Sequence, residues 1–110
     1  MAPQLADAPG AGYTPDMHVG ALVLELRLPG CHSLKEKRSR LRPLIAALQR
    51  EFSVSAAEVD LMDRHADAIV AVVAVSNDGH HVERWLASIP GWIERQRPDL
   101  TLVDFDYRAL

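Results

Sequence analysis

The chain has 110 residues, 48% of them hydrophobic, a formal net charge of -3 and a single cysteine. That length and apolar content suit one core and argue against a second domain. One cysteine, Cys31, excludes an internal disulfide, and with no CxxC or Cys/His cluster beside it no metal-binding motif is present, which fits a reducing, cytoplasmic setting.

Residues 1–16 are rich in proline and glycine and carry no basic residue, so they read as a disordered tail rather than a signal or transit peptide. Residues 17–110 are expected to form the single folded domain. Nowhere do about 18 apolar residues run together, so no membrane-spanning helix is expected. Two of the acids, Asp7 and Asp16, lie in the tail, which leaves the domain close to neutral. Its bulk charge argues neither for nor against nucleic acid.

Over residues 18–28, Leu22, Leu24, Leu26 and Leu28 alternate with Val19, Ala21, Val23, Glu25 and Arg27, the period of a strand with one buried face. Pro29-Gly30 ends it. Ser33 with Glu36 reads as a capping box, in which the serine hydroxyl accepts from the glutamate amide and the carboxylate reaches back to the serine amide. The helix that follows has an apolar stripe of Leu34, Leu41, Leu44, Ile45, Leu48 and Phe52. Pro43 lies inside it, and because the stripe stays in phase on both sides, a kinked continuous helix is expected rather than a late start.

Residues 53–60 read as a short second strand, residues 61–66 as a polar turn, and residues 67–75 as a valine-rich central strand. Ser76-Asn77-Asp78-Gly79 supplies caps for a second helix carrying Val82, Leu86, Ile89 and Ile93, with an interruption at Pro90-Gly91. Residues 100–108 alternate again, Val103, Phe105 and Tyr107 against Asp104, Asp106 and Arg108. Strand, helix, strand, strand, helix, strand is the βαββαβ order of an α+β ferredoxin-like sandwich, a four-stranded antiparallel sheet with two helices on one face.

Three stretches, LELRLPGCHSLKEKRSRLRPLI (24–45), SVSAAEV (53–59) and AVSNDGHHVE (74–83), resemble the YlxP-like family of bacterial proteins of unknown function. The strand, Pro-Gly turn and Ser-Leu-Lys-Glu-Lys-Arg helix start carry the resemblance. It covers nearly all of residues 17–110, the Pro/Gly-rich leader and Pro43 and Pro90 being departures. The resemblance implies a ferredoxin-like fold and genes lying near those for translation initiation factor two and ribosome-binding factor A. It implies no established activity.

Lys35, Lys37, Arg38, Arg40 and Arg42 put five cations in eight positions at the helix start. Cations on a helix can neutralise backbone phosphates, so these five are the candidate contacts to RNA or a ribosomal subunit. Lys37 falls on the apolar stripe, which suggests a first turn that overhangs the sheet edge. The competing interpretation is a solvated face with Glu36 and Arg40 paired. On the sheet's other face Val19, Ala21, Val23, Val70 and Val72 are the candidate interface of a homodimer or interaction module.

Other groups read as ordinary structure. Asp78, His80 and His81, and Asp63, His65 and Asp67, are expected to be exposed turn residues. Cys31 is a loop thiol with no evident base or oxyanion partner, and Trp85 and Trp92 should cover the sheet. No catalytic, metal or cofactor site is expected, and the chain reads as a non-enzymatic accessory protein.

Overall fold

The computed structural model of the protein describes residues 15–110, so the expected tail over residues 1–16 lies, but for its last two residues, outside the described residues. Seven elements follow: β1 (His18–Arg27), α1 (Leu34–Phe52), β2 (Ser55–Asp60), β3 (Asp67–Ser76), α2 (Gly79–Ala87), α3 (Ile89–Gln96) and β4 (Thr101–Ala109). The strands form a four-stranded sheet in the order β2-β3-β1-β4, antiparallel at each pairing. This is the expected ferredoxin-like α+β arrangement.

Local chemistry places each boundary. Ser33 caps α1 by accepting the Glu36 amide at 3.0 Å. The Glu36 carboxylate takes the amide of His32 at 3.0 Å instead of the expected serine amide, which satisfies a donor one residue further out. The helix runs continuously from Leu34 through Pro43, whose ring is exposed, so the late start is excluded. The expected second helix is instead two. Ser88 closes α2 and Pro90 sits in the first turn of α3, where its missing N–H breaks no intrahelical bond. Gly30, at φ 72°, turns the chain after β1.

The core lies between sheet and helices. Leu22, Leu24 and Leu26 of β1 and Val70 and Val72 of β3 pack against Leu41, Leu44 and Leu48 of α1 and Val82, Leu86, Ile89 and Ile93 of α2 and α3. Gly20 lets α2 approach β1: a Cβ there would stand 2.7 Å from Val82 Cγ1.

This packing corrects the expected interface. Val70 and Val72 pair directly with Leu24 and Leu22, so they share the helix-covered face and are 0% exposed. The residues of β3 that join Val19, Ala21 and Val23 on the open face are Val75, Val73 and Ala71, their register partners. In β4, Phe105 and Tyr107 pair with Leu24 and Leu22 and lie on the helix side, while Asp104, Asp106 and Arg108 pair with Glu25, Val23 and Ala21 on the open side. Val103 sits in the β-bulge between them and Leu102.

Candidate nucleic-acid interface

The basic run of α1 divides by the direction in which each side chain points. Lys37 is buried, 2% exposed, and its ammonium donates to Leu61 O at 2.8 Å and Arg64 O at 2.6 Å. Its third contact is an ion pair to Glu58 Oε2 at 2.6 Å, a buried oxygen that accepts no hydrogen bond among the described residues. Two of the ammonium's three donors thus go to carbonyls, and its charge is matched by the carboxylate. The partners lie on β2 and the β2–β3 turn, where Leu61 adopts φ 60°, an uncommon conformation for a branched side chain. Lys37 is therefore a clip between α1 and that turn. The phosphate-contacting role expected for it is corrected by its burial, as is the overhanging first turn.

Arg40 is also committed internally. It donates to Pro29 O at 2.8 Å and to Asp99 O, and its Nε lies 3.6 Å from Asp99 Oδ2. Arg97 completes the cluster with two bonds of 3.0 Å to the Asp99 carboxylate and one of 2.8 Å to Arg40 O. The hydrogen bond from Arg97 holds the Asp99 carboxyl below its ordinary value, with the Arg97 and Arg40 charges adding to the effect against partial desolvation. The cluster ties α1 to the segment entering β4. Its arginine head group is thus occupied, which corrects the second expected phosphate contact. The alternative pairing of Glu36 with Arg40 is not formed either.

Lys35, Arg38 and Arg42 remain. All three are exposed, and none has a carboxylate within 4.0 Å among the described residues. At 100° per residue they fall within about 60° of one another and span about 10 Å of helix axis. The result is a short ridge of free cations on the solvent side of α1, with no exposed aromatic among its members. It can neutralise phosphates but offers no aromatic platform for bases.

The other candidates are structural. Asp78 caps α2 by accepting the His80 amide at 3.0 Å, and His81 lies 3.8 Å from the Trp85 ring. His80 and Asp78 line an open groove of about 550 Å³ with His18 and Tyr107. Asp67 faces Arg27 at 3.6 Å, while Asp63 and His65 are exposed. Among the described residues no group of three or more His, Cys, Asp or Glu side chains could hold a metal ion. Cys31 is buried and donates to Ser33 O at 3.5 Å. Trp85 and Trp92 pack on the core, Trp92 edge-on to Phe52 at 5.5 Å. No helix among the described residues is long and apolar enough to cross a membrane.

Sequence reasoning did not find the fasteners Glu58, Arg97 and Asp99, because their partners are distant in the chain. The one available signal was a lysine set on an apolar stripe. The family described as "Protein of unknown function (DUF503)" matches residues 19–107. No curated protein matches the chain.

Proposed function

Because the chain belongs to the DUF503 family, whose description assigns no activity, we propose a function from the surface it presents: a non-enzymatic accessory protein that binds RNA or a ribosomal particle through the outer ridge of α1. The observation that carries this reading is the trio Lys35, Arg38 and Arg42, exposed on one stripe without acidic partners among the described residues. The YlxP-like resemblance supports a translation or ribosome-maturation setting. With no aromatic on the ridge, binding would follow the phosphate backbone and not base identity.

The test is binding to ribosomal subunits or structured RNA as salt is varied. Three phosphate contacts predict a log–log slope of about -2. Changing Lys35 and Arg38 together to alanine should flatten the slope by about one to two units. Unchanged affinity and slope in that variant would remove the reading.

A second reading, a scaffold or regulatory module acting through the open sheet face, is favoured by one observation. Val73 and Val75 are 37% and 58% exposed beside Val19 and Val23, with no layer above them among the described residues. If a second copy covers this face, Val73→Lys should abolish self-association by stranding a charge in an apolar contact.

A further inference from the structure

We propose that β4 is a self-pairing edge, along which two copies of this chain join antiparallel so that their sheets become one continuous sheet. This inference is independent of the RNA reading and uses a surface other than the open face.

The two edges of the sheet differ. β2 is short, carries a register shift between Glu58 and Asp60, and is pinned through Glu58 to Lys37, devices that discourage edge pairing. β4 has nine residues, of which only Leu102 is not exposed, and its one irregularity lies at its start, leaving residues 104–109 regular. Among the described residues no strand pairs with its outer edge, and edge backbone of that length is a template for another strand.

Two hydrogen bonds identify the outward-facing backbone. The Leu110 amide donates inward to Val19 O at 2.8 Å. The Phe105 amide instead donates to its neighbour's carboxylate, Asp104 Oδ1, at 2.8 Å. Inward and outward positions alternate along an antiparallel strand, so Phe105, Tyr107 and Ala109 present their N–H and C=O groups to the edge. Their side chains lie on the helix side, where Phe105 is 53% and Tyr107 38% exposed.

The charge pattern selects a second copy and a register. Centring the twofold axis on Phe105 sets Asp104 opposite the partner's Asp106, and centring it on Asp106 sets two copies of that carboxylate together. Like charges directly opposite are destabilising. Centring it on Tyr107 sets Asp106 opposite the partner's Arg108 twice, leaves no like-charge pair, and brings two tyrosines together with Phe105 diagonal to each. On pairing, Asp104 would release the Phe105 amide to the partner's main chain. A twofold axis normal to the sheet keeps both helix layers on one side.

Sedimentation equilibrium of the full chain tests the proposal, with a thermal melt to verify folding. The unmodified protein should dimerise. Arg108→Glu, which places carboxylates opposite Asp106, should weaken the dimer about tenfold or more. The exchange Asp106→Arg with Arg108→Asp should restore it. Because Tyr107 also lies over Gly20, the backbone is better blocked at Ala109. Its amide faces outward, so Ala109→Pro removes an edge donor and no bond to β1, and should give a folded monomer. A monomer at high micromolar concentration overturns the proposal. So does a dimer that ignores both Arg108→Glu and Ala109→Pro, or one lost only on Val73→Lys. Failure of the charge exchange to restore pairing overturns the register.

Discussion

The inner and outer sides of α1 carry cations of the same kinds, a few residues apart, in opposite situations. Lys37 and Arg40 point inward or along the domain and have all of their charge matched by carbonyls and carboxylates. Lys35, Arg38 and Arg42 point to solvent, with no carboxylate partner among the described residues. A dense basic run is therefore not a uniform basic surface. Helix phase decides which cations are fasteners and which are available to a ligand, and the two sets should respond oppositely to mutation.

The largest effect should come from Lys37. Replacing it with Met keeps much of the alkyl packing but leaves Glu58, 22% exposed, and the carbonyls of Leu61 and Arg64 without their donor. Breaking a buried ion pair from one side costs about 3–5 kcal/mol, and partial exposure of Glu58 places this case near the lower figure. Chemical denaturation should register that loss. Because the penalty is chiefly the stranded carboxylate, adding Glu58→Leu should recover much of it. A loss within about 0.5 kcal/mol would place Lys37 among ordinary surface residues and dissolve the comparison.

Asp99 should come next. Its side chain is 45% exposed, so screening limits the effect of Asp99→Asn to about 1 kcal/mol at neutral pH. The pH dependence gives a sharper test. Arg97 and Arg40 lower the folded-state value below the ordinary 3.8, so the folded protein binds protons less readily than the unfolded chain. The contribution is complete above that ordinary value and is lost as pH falls through the lower folded one. Melting temperatures of the two proteins should therefore differ at neutral pH and converge in acid. A difference that persists below both values would assign the effect to packing and not to charge.

How far these distinctions could be read beforehand depended on whether polar residues marked the faces. In β1 the alternation of leucines with Glu25 and Arg27 identified the buried side, and in β4 the alternation with Asp104, Asp106 and Arg108 separated two faces. Residues 68–75 of β3 are apolar throughout, so nothing local distinguished Val70 and Val72 from Ala71 and Val73. Only their register with β1 does. Pro90-Gly91 marked a break, but proline's preference for a first helical turn made it a start as well as an end. The phase of Lys37 was legible from its place among leucines. Its acceptors were not, because they arrive from the β2–β3 turn through tertiary packing.

The smallest expected effect on stability belongs to the outer trio, and its sign is informative. Lys35 lies in the first turn of α1, where the positive end of the helix dipole disfavours a cation by about 0.3–1 kcal/mol. Arg38 and Arg42 are exposed helix positions, for which alanine has equal or better propensity. No ion pair among the described residues is lost on removing any of them. The triple change Lys35→Ala, Arg38→Ala and Arg42→Ala should therefore leave the thermal midpoint within about 2–3 °C, or raise it slightly. If the outer ridge binds RNA as proposed, the same variant should lose that salt-dependent binding. Stability alone gives no reason to keep Lys35 at that end of the helix, and a ligand phosphate does, since it would meet both the ammonium and the dipole's favoured charge. A triple variant that melts several degrees lower would show that these cations also hold the fold, and the division between the two sides of α1 would fail at its outer member.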